Sequence, residues 1–184
     1  HAMIECVDLV PTYVEAAGGT PAPVLDGKSL LPVFAGKQEH KDHVFGEMTT
    51  RGIINGSSTF GIRSVRTKDF KYIWNFTPDI EFRNVAMKSP EFKSWEAKAA
   101  ADADAADKVR RYRKRPAIEL YDIHKDPFEW HNLAGKPEYA AVQAKLKAEL
   151  DAWMKHCGDK GQQTELEADQ HTKNGGKKKK RKNK

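Results

Sequence analysis

The sequence predicts an α+β fold in which a small antiparallel sheet of about four strands packs against a C-terminal helix. Three observations lead there. Two strand-forming runs, residues 43–50 and 60–76, follow one another, and the second carries its own turn at Lys68-Asp69. A further strand-like run, "IELYDI", comes after a helical interruption. Lys136-Pro137 then opens "EYAAVQAKLKAELDAWMKHCG", in which Tyr139, Val142, Leu146, Leu150 and Trp153 recur at helical spacing. One face of that helix needs cover, and a sheet supplies it most economically.

Composition bounds the rest. The 184 residues suffice for one domain with appendages. An apolar content of 39% and a mean hydropathy of −0.75 are low for a globular chain, so part of it carries no core. No run approaches the roughly 18 apolar residues a membrane span needs, and the opening does not read as a signal peptide. The net charge of +6 is local: "KNGGKKKKRKNK" holds seven lysines, one arginine and no acid, leaving the other 172 residues at −2. That tail has nothing apolar to bury and is expected to be disordered from 173, either as a solubilising end or as an attractor of polyanions. Cys6 and Cys157 fit neither a zinc cluster nor a disulfide framework and are expected as free, buried thiols.

Each element has a local cause. Residues 4–19 read as one helix, with Asp8 as its cap, Pro11 in its first turn and Gly18-Gly19 ending it. Its Leu9, Val10, Tyr13, Val14 and Ala17 spread apolar surface around most of its girth, so it needs a partner. Residues 20–42 are punctuated by Pro and Gly and read as a linker. Residues 43–157 form the sheet-and-helix unit. Within it, 84–116 is a helical insertion, opened by Ser89-Pro90, carrying Phe92 and Trp95, and closed by the basic run "KVRRYRKRP". Residues 158–184 are expected as a polar tail.

The stretch "ELYDIHKDPFEWHNLAG" poses a choice between a metal site and a clasp. Asp122, His124 and Asp126 alternate like the start of a calcium loop, but Pro127 stands where that loop needs glycine. His124 and His131 lack zinc-like partners. A capping box built from Asp126, Pro127 and Glu129, a turn at Asn132 and a buried Leu133 account for the same residues without a metal. The clasp is the reading adopted.

In order, "VDLVPTYVEAAGG", "LDGKSLLP", "IRSVRTKDFKYIWNF", "ELYDIHKDPFEWHNLA" and an amphipathic helix ending in Trp resemble the C-terminal part of a sulfatase over residues 4–156. "RSVRTKDFKYIWNF", "SPEF" and "YRKRPAIELYD" are most similar to heparan N-sulfatases (sulfamidases, N-sulfoglucosamine sulfohydrolases). The resemblance implies the C-terminal subdomain of an alkaline-phosphatase-like fold, preceded by the last helix of a catalytic domain that would be its partner. It also implies a parent enzyme that needs calcium and a formylglycine made within a C/S-x-P-S-R motif. Cys6 is followed by Val-Asp-Leu and Cys157 by Gly-Asp-Lys, so neither sits in that motif, and the family's metal-binding Asp and Asn positions lie upstream of the matched part. No catalytic or metal residue and no cofactor is therefore expected within the chain itself.

By the same resemblance, the subdomain closes one wall of a cleft for a sulfated saccharide, with "EMTTRGIING" as the contacting loop. Arg51 suits bidentate binding of a sulfate or uronate, and Thr49, Thr50 and Asn55 suit sugar hydroxyls; a merely solvated loop is the competing reading. Arg63 and Arg66 are expected to pair internally, with Glu119 or Asp122. Localisation follows the family: periplasmic, secreted or lysosomal. The alternative function is a polyanion- or nucleic-acid-binding module working through the tail and residues 108–115. Zinc-finger spacing, ribonucleoprotein aromatics and a recognition-helix pattern are missing from the sequence, which disfavours nucleic acid.

Overall fold

The computed structural model describes residues 2–50, 53, 56, 57 and 59–171. Its centre is a four-stranded antiparallel sheet in chain order: β1 (Val44–Met48), β2 (Ile62–Arg66), β3 (Phe70–Asn75) and β4 (Ile118–Asp122). Around it lie helices α1 (Leu9–Ala16), α2 (Leu31–Phe34), α3 (Pro90–Ala99), α4 (Ala103–Arg113), α5 (Ala140–His156) and α6 (Gln162–Glu167).

The strand register sets Phe45, Val65, Tyr72 and Leu120 side by side across the sheet. Side chains alternate faces along a strand, so this row points one way. Leu146, Leu150 and Met154, one turn apart on α5, pack on Val65, Tyr72 and Leu120 as the main core. Phe45 stacks on Trp153 with ring centroids 4.9 Å apart and planes 8° apart. Each fully buried leucine here contributes about 1.5–3 kcal/mol. The helical face expected from Tyr139, Val142, Leu146, Leu150 and Trp153 is the face the sheet covers.

The turn between β2 and β3 closes where Lys68-Asp69 predicts. Thr67 N–H donates to the Phe70 carbonyl at 2.8 Å, and Phe70 N–H donates to Thr67 Oγ1 at 3.1 Å. The insertion between β3 and β4 has its own small core. Phe92 is buried against Trp95 and Tyr112, and Phe82 lies between Tyr112 and the fully buried Phe60. Ser89 Oγ accepts from Phe92 N–H and Pro90 occupies the first turn, which is the expected start of α3.

Several local expectations need correction. Asp8 does not cap α1; its backbone is already helical, at the end of a 3-10 turn over Cys6–Asp8. Its buried carboxylate instead accepts from Lys28 N–H at 2.9 Å and Glu5 N–H at 2.8 Å, and pairs with Lys41 at 2.7 Å. Thr12 Oγ1 accepts from Leu30 N–H at 2.8 Å. The Asp and Thr of "DLVPT" thus fasten the following connector onto α1. Gly27 lies so close to the 3-10 turn before α1 that a Cβ there would fall 2.0 Å from the Val7 carbonyl oxygen.

Both cysteines are exposed rather than buried. Residues 158–168, expected as polar tail, carry α6 and bury Glu165 at 3% exposure. Arg63 does not pair with Glu119 or Asp122. Glu119 lies on the other face of the sheet, bonded to Asn75 and Tyr121, and Asp122 pairs in register with Phe70 at the far end of the strands. Arg63 meets Asp159 and Glu165 instead, and Arg66 is exposed.

Candidate functional site

Three polar constellations are candidates, and their geometry separates structural from binding roles. The first is the stretch 119–135. Asn132 Oδ1 accepts from the N–H groups of Leu120 and Ala134, both at 2.9 Å, while Nδ2 donates to the Ile118 carbonyl at 2.9 Å. Leu133 N–H adds a bond to the Leu120 carbonyl at 2.8 Å. One side chain therefore occupies the donor and acceptor of a β4 edge that would otherwise stand open.

Asp122 Oδ1 accepts from His124 N–H at 3.1 Å and Lys125 N–H at 3.0 Å, which with the Lys125 ammonium holds its carboxyl below the usual range. Asp126 Oδ2 takes His131 N–H at 2.6 Å. These carboxylates turn inward to their own loop, not toward a common point. Among the described residues, no three His, Cys, Asp or Glu side chains are grouped to hold a metal ion. The clasp forms, but its expected capping box does not: no helix follows Pro127. Glu129 adopts φ +58° and pairs with Lys71 at 2.8 Å, ending the turn in a left-handed residue.

The second constellation sits where β1 leaves the sheet and β2 enters it. Arg63, 3% exposed, donates from Nε to Asp159 Oδ2 at 2.5 Å and from Nη2 to Glu165 Oε1 at 2.9 Å. Glu165 Oε2 accepts from Thr49 Oγ1. Burial pushes the Asp159 carboxyl up, and the guanidinium more than reverses it, leaving the pKa lowered. An arginine on β2 and an acid on α6 thereby fix the start of the loop 49–61.

Of the four residues expected to touch substrate, Thr50 is buried and its Oγ1 accepts from Phe60 N–H at 2.9 Å, closing the loop's base. Thr49 is exposed and bonded to Glu165. Arg51 and Asn55 lie outside the described residues. Sequence reasoning missed Glu165 and Asp159, because an acid in a polar stretch carries no sign of its distant arginine.

The third constellation is the basic run on α4. Lys108 pairs with Asp104 at 2.5 Å, Arg110 with Asp107 at 2.5 Å, and Arg113 with Glu81 at 2.5 Å and with Glu96. Arg111 reaches the Trp130 carbonyl and ring, and Arg115 lies over the Phe82 ring at 4.2 Å. Much of the apparent positive charge is compensated within the insertion.

No family model matches the chain. An ulvan-active sulfatase of Formosa agariphila is 36% identical over 161 residues, covering 86% of this chain and 30% of that protein. Human N-sulphoglucosamine sulphohydrolase is 27% identical over 171 residues, covering 84% of this chain and 32% of its own length. A solved 2-O GAG sulfatase shares the fold with a TM-score of 0.53 at 23% identity, covering 83% of this chain and 25% of that one. A protein solved in complex with its substrate D-glucosamine-2-N,6-O-disulfate does so at 0.51 and 23%, covering 80% and 23%.

The four-stranded sheet with its packed helices is thus part of a sulfatase fold, and the chain belongs to the sulfatase family. It is the counterpart of the family's C-terminal region, and it spans about a third or less of the length of the curated relatives it matches.

Proposed function

We propose that this chain completes the fold of an enzyme that hydrolyses sulfate esters or N-sulfate groups of sulfated saccharides, and that residues 49–55 line one wall of the substrate cleft. The observation that carries this reading is the match to an ulvan-active sulfatase over 86% of the chain. The N-sulphoglucosamine relative and the neighbour bound to a sulfated glucosamine point to the same substrate class. The latch from Arg63 through Glu165 to Thr49 anchors the start of this segment, which supports the reading.

The partner in this reading is an N-terminal catalytic domain. Residues Val10 and Tyr13 of α1, 52% and 66% exposed, offer it an apolar face. That domain would supply formylglycine and calcium. Neither cysteine here stands in the required motif, and the Asp122 and Asp126 carboxylates are occupied by their own loop, so no catalytic step is assigned to these residues. A place outside the cytoplasm, in a periplasmic, secreted or lysosomal setting, belongs to the same proposal.

The test is Arg51→Ala in the full-length protein, assayed on a sulfated oligosaccharide. A fall in kcat/KM of about tenfold or more, at unchanged Tm, is expected. Unchanged kcat/KM refutes the cleft-wall assignment. The polyanion-module reading is checked by titrating the chain, with and without residues 173–184, against a heparin-type oligosaccharide and a DNA duplex across a salt series. The compensated charges of α4 predict that DNA affinity disappears with the tail.

A further inference from the structure

At the same end of the sheet as the loop 49–61 lies a concavity of about 630 Å³, between β3, the end of α5 and the start of α6. Trp74 and Phe76 form its aromatic wall, edge to face with centroids 5.0 Å apart, and both are only partly buried. Met154 lies beneath. Gly161 turns the backbone at φ +64°, where a Cβ would stand 3.4 Å from Phe76 Cζ and 3.6 Å from Met154 Cε, narrowing the floor.

The charges around this groove do not cancel. Its two carboxylates are already committed, Asp151 to Lys147 at 2.5 Å and Asp159 to Arg63 at 2.5 Å. Its two exposed ammonium groups, Lys155 and Lys160, make no ion pair among the described residues. An aromatic wall beside uncompensated ammonium groups matches a pyranose ring that carries an anion. The C–H-rich face of the ring covers the indole and phenyl groups, while a carboxylate or sulfate meets the lysines. Two backbone-linked contacts tie the groove to the loop: Phe76 N–H donates to the Gly61 carbonyl at 3.0 Å, and Gln162 Nε2 donates to the Thr59 carbonyl at 3.5 Å.

We propose that Trp74, Phe76, Lys155 and Lys160 form an accessory subsite for an acidic sugar residue of a polysaccharide, separate from the contacts of the loop 49–55. This subsite rests on the saccharide reading given above. It extends that reading from a single sugar at a cleft to a chain held at two places.

The experiment is a titration of the full-length protein with a heparin tetrasaccharide, followed by the Trp74 indole N–H resonance in a nitrogen–proton correlation spectrum. Trp74→Phe identifies the signal by removing it. The signal is expected to move saturably, K155E/K160E to weaken its titration about tenfold without a change in Tm, and neutral cellotetraose to leave it still. An unmoved signal, an affinity indifferent to K155E/K160E, or an equal response to cellotetraose each overturns the subsite. The two lysines are exposed, so the double variant keeps the test open even if Trp74→Phe folds poorly. Arg51→Ala separates the two proposals. Loss of turnover in Arg51→Ala with no effect of K155E/K160E leaves the cleft wall standing and the subsite refuted. A moving indole with turnover indifferent to Arg51→Ala does the reverse.

Discussion

Asn132 does for β4 what a fifth strand would do, with one amide in place of a ladder. Asn132→Asp keeps the acceptor and loses the donor, while Asn132→Ala loses both and leaves the Leu120 N–H without its side-chain acceptor. The alanine variant is expected to cost about 2–3 kcal/mol in chemical denaturation, more than the aspartate variant. Arg63 carries larger stakes. Arg63→Ala leaves Asp159 and Glu165 buried without their cation, and a loss of about 3–5 kcal/mol is expected from the same measurement.

Asp8 gives a pH signature. Burial raises its pKa, but the Lys41 ammonium and the N–H groups of Lys28 and Glu5 prevail, and the carboxyl stays below its ordinary 3.8. A depressed carboxyl contributes stability above pH 3.8 that disappears as pH falls through its folded-state value. Asp8→Asn is therefore expected to melt lower than the native chain at pH 7, and the gap is expected to close in an acid series of Tm measurements.

At the scale of elements, α5 is where sequence and structure agree best. Its apolar spacing identifies the buried face because a helix on a sheet has a single inward stripe, and Leu150→Ala is expected to cost about 2–5 kcal/mol by leaving a cavity at the centre of that stripe. The four strands were legible too, through runs of strand-forming residues and the Lys68-Asp69 turn. The start of α3 was legible too, since Ser-Pro is a signal within three residues. Legibility failed where a residue's partner is remote. Asp8 looks like a helix cap from its neighbours, and only the arrival of Lys28 and Lys41 gives its carboxylate another use. Asp126 looks like a cap as well, but residues 130 and 131 fold back onto it before a helix can begin. The exposure of Cys6 and Cys157 has a similar origin, because a thiol's preference for the interior is weaker than the placement of its element. The acids that brace Thr49 and Arg63 were not legible, since nothing in a polar stretch marks Asp159 or Glu165 as partners of a distant arginine.

At the scale of the molecule, the described residues form a sheet with one face under α5, a helical insertion with its own aromatic core, and an N-terminal segment tied back to β1. That tie is explicit: Glu5 accepts from Phe45 N–H at 2.6 Å and pairs with Lys41 at 2.5 Å. Among the described residues, no helix is long and apolar enough to cross a membrane. Across α1, Thr12 is buried against the connector through Leu30 N–H, while Val10 and Tyr13 stay exposed.

The bond between Arg63 and Glu165 spans 102 positions. On a ribosome adding about 5–20 residues each second, the arginine waits roughly 5–20 s for its acid to be made. The β2–β3 hairpin needs only neighbours and forms during that interval, whereas the start of the loop 49–61 cannot be fixed until translation has passed residue 165. A nascent chain interrupted between β4 and Asp159 holds all four strands while Arg63 still lacks both of the acids that neutralise it.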